Sequence, residues 1–75
     1  MKILLFGRLT EILGQNDLQL EGITDTSQLR KYLEDEYPGL QQVSYQVAVD
    51  QEIVHSNTLL TEKMTVALMP PFSGG

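Results

Sequence analysis

The chain has 75 residues, enough for one domain over residues 1–75 built around one compact core. Ten acidic residues against five basic ones give a net charge of −5, and the bases Lys2, Arg8, Arg30, Lys31 and Lys63 are scattered, which excludes nucleic acid and anionic membrane as partners and favours a basic protein surface. No cysteine is present, which rules out disulfides, thiolate nucleophiles and cysteine-held metals and fits a reducing, cytoplasmic setting.

Residues Lys2 to Phe6 read as a strand that is apolar on both faces, so a central, doubly covered position is expected. The apolar run is too short for a signal peptide, and no stretch approaches the roughly 20 apolar residues of a membrane span. Gly7 ends the strand. Leu9, Ile12 and Leu13 stand at helical spacing and predict a short helix stopped by Gly14. Gln15-Asn16-Asp17 is turn chemistry, and Leu18 and Leu20 alternate as a short second strand.

Asp25 with Gln28, or the Thr24 hydroxyl, can satisfy the free N–H groups of a helix start. Leu29, Tyr32, Leu33 and Tyr37 then share the core-facing stripe, with Arg30, Lys31, Glu34 and Asp35 opposite. Pro38-Gly39 ends this main helix. Val43, Tyr45, Val47 and Val49 alternate with polar or small residues and predict a half-buried strand. Asp50-Gln51 reads as a tight turn into Glu52-Ile53-Val54. His55 to Lys63 is a polar loop anchored by Leu59 and Leu60, and its one histidine has no second ligand nearby, which predicts no metal site. Thr65 to Met69 forms the last strand, stopped by Pro70.

A mixed sheet of four to five strands with one main helix on one face is α+β. The first and last strands are the most apolar and belong side by side at the centre. An early hairpin, one long helix and a returning terminal strand make a β-grasp, the ubiquitin-like arrangement.

The end of the chain is distinctive. Residues 70–75 read as a flexible tail, in which Pro70-Pro71 stiffens the exit and Phe72, Ser73, Gly74 and Gly75 follow. Glycine has no Cβ, so Gly74-Gly75 can thread a channel that any side chain would block. Four extended residues from Phe72 reach roughly 13 Å. Ordering them costs on the order of 1–2 kcal/mol per residue, an amount that partner contacts by the body and by Phe72 must offset.

The sequence resembles the small, sulfur-carrying subunit of molybdopterin synthase over essentially its whole length. The resemblance rests on Ile3-Leu4-Leu5-Phe6-Gly7, Leu9-Thr10-Glu11-Ile12-Leu13-Gly14, the helix after Asp25, Val47-Ala48-Val49-Asp50, and above all Val66-Ala67-Leu68-Met69-Pro70-Pro71-Phe72-Ser73-Gly74-Gly75. The Pro-Pro-x-Ser-Gly-Gly ending is its most specific part. Two positions depart from the family pattern: Thr10 stands where an arginine is usual, and Lys63-Met64 replaces a Gly-Asp turn.

The resemblance implies a carrier cycle. An E1-like adenylyltransferase uses ATP to convert the Gly75 carboxylate into an acyl-adenylate, a sulfur donor displaces AMP, and Gly75 becomes a thiocarboxylate. The domain then docks on the large synthase subunit, in an assembly the family suggests is a heterotetramer, and the sulfur passes to cyclic pyranopterin monophosphate. Pro70, Pro71, Phe72, Ser73 and Gly74 are the implied partner-binding residues. The chain itself is expected to bind no cofactor and to catalyse nothing, since no general base or nucleophile is evident. Other readings remain open: a carrier for thiamine or another sulfur metabolite, a ubiquitin-like modifier that forms isopeptide bonds through Gly75, and an interaction module with an inert tail.

Overall fold

Five strands form one mixed sheet in a computed structural model that describes residues 1–71. β1 (Lys2–Leu5) runs parallel to β5 (Thr65–Met69), pairing Ile3 with Val66 and Leu5 with Leu68. β2 (Asp17–Gln19) is antiparallel to β1 on one side. β3 (Gln46–Val49) is antiparallel to β5 on the other, and β4 (Glu52–Val54) closes the far edge. The order β2-β1-β5-β3-β4 places the terminal strand in the middle with the first strand beside it, as their apolar content predicts. The first and last strands are thereby joined in one hydrogen-bonded ladder.

A short helix, α1 (Arg8–Leu13), fills the connection between β1 and β2. The main helix, α2 (Thr26–Glu36), starts where reciprocal capping is available. Asp25 Oδ1 accepts from the Gln28 N–H at 2.8 Å, and Gln28 Oε1 accepts from the Thr24 N–H at 2.7 Å. Asn57 Oδ1 satisfies a further first-turn donor, the Ser27 N–H, at 2.9 Å. Leu29 and Leu33 have no exposed surface and lie against Ile3, Val47, Val66 and Leu68 in one core. Burying each such side chain contributes about 1.5–3 kcal/mol. A 3₁₀ turn over Pro38–Gln42 follows and seats Leu40 in the same core.

Four details differ from the sequence reading. Tyr32 is exposed: it precedes Leu33 by one residue, about 100° around the helix, and sits on the flank of the core stripe. Leu59 points to solvent while Leu60 alone is buried. The loop is tied down instead by backbone bonds, Thr26 N–H to the Thr58 carbonyl and Leu60 N–H to the Thr24 carbonyl, both 2.9 Å. The third strand begins at Gln46 rather than Val43. Gln46 pairs with Met69, so Tyr45 would face Pro70, which has no N–H to offer a ladder. Finally, β1 is covered on one face only.

Candidate functional site

The uncovered side of the sheet is apolar. Alternation along β1 and β5 sends Ile3, Leu5, Val66 and Leu68 toward α2 and leaves Leu4, Phe6, Ala67 and Met69 on the opposite side. Ala48 of β3 and Ile53 of β4 extend the surface, since they are cross-strand partners on that side. Because Ala67 and Ala48 are small and sit side by side in the register, the centre is a shallow dish of about 650 Å³. Phe6 stands at its border with nearly half of its surface exposed. Gln46 shares this face by its pairing with Met69. Its Oε1 is buried without a hydrogen-bond partner among the described residues.

The chain leaves the sheet at one corner of this dish. Phe6 extends the parallel ladder by one bond, donating its N–H to the Leu68 carbonyl at 3.1 Å. Gly7 then turns the chain into α1 at φ 60°, ψ −138°, a conformation open to glycine. Pro70 lies directly against this turn: a Cβ added to Gly7 would stand 2.6 Å from Pro70 Cγ. On the side away from the dish, Pro70 and Pro71 border a groove of about 300 Å³ together with Arg8, Leu9, Val43 and Ser44. Of the residues singled out at the end of the chain, Pro70 and Pro71 are thus at the surface at the sheet corner. Phe72, Ser73, Gly74 and Gly75 lie outside the described residues.

Polar groups elsewhere are engaged in structure. The Tyr45 hydroxyl donates to Glu34 Oε2 at 2.6 Å, and the Arg30 guanidinium lies 4.9 Å from the Tyr45 ring centre. Burial, followed by the Glu34 carboxylate, pushes the Tyr45 hydroxyl well above its usual pKa, so this ring is a neutral donor rather than a proton shuttle. The α-amino group of Met1 donates to Glu62 Oε2 at 2.7 Å and to the Leu20 carbonyl at 3.0 Å. That bond holds Glu62 below the ordinary carboxylate pKa. His55 borders a polar crevice beside Arg30, Ser27 and Asn57. No three His, Asp or Glu side chains converge as metal ligands among the described residues, and no described helix is long and apolar enough to cross a membrane.

The apolar dish was not singled out from the sequence. Its signal is present in Leu4 and Phe6, the second apolar face of a strand that reads as covered twice, and in Ala67 and Met69 of the last strand.

Comparison with known proteins agrees with this architecture. The chain is 31% identical to the molybdopterin synthase sulfur carrier subunit of Caenorhabditis elegans, across 100% of this chain and 96% of that protein. Its fold is similar to the solution structure of small archaeal modifier protein 1 from Methanosarcina acetivorans, with a TM-score of 0.81 at 24% identity, covering 99% of this chain and 94% of that one. It is also similar to the crystal structure of the protein of the same name from Haloferax volcanii, with a TM-score of 0.73 at 21% identity, covering 99% and 97%. Both structures support the ubiquitin-like β-grasp fold. The ThiS family matches residues 3–75, and the chain belongs to that family.

Proposed function

We propose that this chain is the sulfur-carrier subunit of a molybdopterin synthase, with residues 1–75 forming one carrier domain and residues 70–75 its tail. In this reading a partner adenylyltransferase binds the domain and consumes ATP. A Gly75 carboxylate oxygen attacks the α-phosphorus and pyrophosphate leaves; the terminal sulfur of a donor persulfide then displaces AMP from the acyl carbon, and a thiol cleaves the acyl disulfide so formed, leaving as a disulfide with the donor. The resulting thiocarboxylate is delivered when the domain docks on the large synthase subunit, where cyclic pyranopterin monophosphate accepts the sulfur on the way to a dithiolene.

The observation that carries the reading is the arrangement at one corner of the sheet. A diproline exit stands beside an open apolar dish, in a chain similar along its whole length to a named sulfur carrier. A dish lined by Phe6, Leu4, Met69 and Ile53 suits burial against a partner, because aromatic and apolar anchors dominate interface energetics. Two partners using the same tail would each grip the domain there and receive residues 72–75 in their own active sites. The chain has no cysteine to carry sulfur on a side chain, which leaves the terminal carboxyl as its distinctive carrier group.

The test is removal of Gly75 in a reconstituted synthesis. The shortened domain is expected to keep its melting temperature and its binding to the large subunit while losing sulfur delivery. Undiminished molybdopterin formation would rule the reading out.

A further inference from the structure

The geometry points to the crevice beside the start of α2 as a binding site for a phosphate group, carried by a small phosphate monoester or present as the free ion. The crevice holds about 190 Å³. Val47 of β3 and Val54 of β4 line it from the sheet, and as cross-strand partners they place it on the helix side, away from the apolar dish. Ser27, Arg30, His55, Ser56 and Asn57 line it above. The volume lies below the roughly 300–1,000 Å³ of pockets that enclose a drug-sized ligand, so it suits one small polar group. Each of these five side chains can donate a hydrogen bond, and none of the lining residues is acidic, in a chain whose net charge is −5.

The fold holds these donors in place and leaves them over. The first N–H groups of α2 are already used: Thr26 donates to the Thr58 carbonyl, Ser27 to Asn57 Oδ1 and Gln28 to Asp25 Oδ1. An anion here is therefore held by side chains rather than by the helix end. The same contacts tie the loop to the helix, since Thr26 Oγ1 accepts from the Thr58 N–H at 2.9 Å and donates to Asn57 Oδ1 at 3.3 Å. With its Oδ1 turned to α2, Asn57 keeps Nδ2 as a donor that bonds to nothing among the described residues. Arg30 is placed by Tyr45. Its guanidinium lies over the ring, 4.9 Å from the centre, and Glu34 holds the Tyr45 hydroxyl. Stacking uses the face of a guanidinium and leaves its in-plane N–H groups for an oxyanion. Lys31, the next residue, pairs with Asp35 at 3.5 Å, whereas Arg30 pairs with no carboxylate among the described residues. A stacked arginine ringed by hydroxyl, amide and imidazole donors matches the oxygens of a phosphate group.

The experiment follows the backbone amide NMR signals of the full-length chain during titration with inorganic phosphate, with glycerol phosphate as the monoester, and with chloride at matched ionic strength. Both phosphates are expected to shift Ser27, Arg30, His55, Ser56 and Asn57, saturating at about 1–10 mM, and to leave Leu4 and Ala67 in the dish unmoved. Tighter binding of glycerol phosphate assigns the site to a monoester, and equal or tighter binding of inorganic phosphate assigns it to the free ion. Arg30→Gln is expected to weaken binding at least about tenfold. Lys31→Gln removes the same charge one residue away and is expected to weaken it less than about twofold. His55→Ala, in an exposed loop, is expected to weaken binding about threefold, and it carries the test if Arg30→Gln melts near the assay temperature. Shifts that grow without saturating, the same shifts with chloride, equal losses in Arg30→Gln and Lys31→Gln, or full affinity in His55→Ala would overturn the inference.

Discussion

Asp50 and Thr65 clasp each other through both ends of one short contact. The Asp50 N–H donates to the Thr65 carbonyl at 2.8 Å, and Asp50 Oδ1 accepts from the Thr65 N–H at 2.9 Å. This bond pair joins the β3–β4 turn to the start of the central strand. Asp50 and Gln51 both have positive φ, 48° and 74°, a turn whose twist suits a two-residue hairpin but whose backbone favours glycine.

Gln51→Gly is therefore expected to stabilise the domain. Relief of the left-handed backbone, worth about 1–2 kcal/mol, exceeds the extra entropy of glycine in the unfolded chain, about 0.5–1 kcal/mol. A net gain of about 0.5–1 kcal/mol, read as a rise of several degrees in melting temperature, is the predicted result. Asp50→Ala should do the reverse, because it removes the acceptor of the Thr65 N–H.

Substitutions in the dish should separate binding from folding. Phe6→Ala removes an exposed aromatic anchor and is expected to weaken binding to the large subunit about 30-fold, roughly 2 kcal/mol. The melting temperature should move little, since the side chain is half exposed. Titration calorimetry with the large subunit checks the first effect and thermal unfolding the second.

Core substitutions on α2 should behave oppositely. Leu33 has no exposed surface, and Leu33→Ala is expected to cost about 2–5 kcal/mol of stability. Tyr32→Ala, one residue away and exposed, should change stability by less than about 1 kcal/mol. Urea unfolding of the two variants distinguishes them.

The Met1–Glu62 contact gives a pH signature. Glu62 has a folded-state pKa depressed by the bond to the α-amino group, so its contribution is present above the ordinary carboxylate pKa. It is lost as pH falls through the lower folded value. Glu62→Gln is expected to be less stable than the native chain near neutral pH, with the difference narrowing in acid. Chemical unfolding at a series of pH values checks the sign.

Much of this fold is legible in the sequence because its strongest local signals agree with its topology. The apolar runs Ile3–Phe6 and Val66–Met69 place the two central strands, and Asp25 with Gln28 marks the start of α2. The alternation from Val43 to Val49 is less informative. Extended backbone alternates whether or not it has a ladder partner, and Val43, at φ −129° and ψ 154°, is extended without one. The start of β3 is decided across the sheet by Pro70, a residue 24 positions beyond Gln46. The exposure of Leu59 likewise depends on backbone bonds to the start of α2 rather than on its own neighbours. The apolar dish is hidden for a related reason. An apolar residue on a strand signals burial, but the strand does not say whether its own chain or another protein provides the cover.

The most direct test of the carrier reading is the intact mass of the chain isolated from its native host, with fragmentation to locate any change. The account predicts a fraction in which one oxygen of the Gly75 carboxyl is replaced by sulfur, increasing when molybdopterin precursor is withheld. An unmodified carboxylate throughout, with the adenylyltransferase and a sulfur donor both active, would contradict it, as would finding the chain joined through Gly75 only to lysines of other proteins.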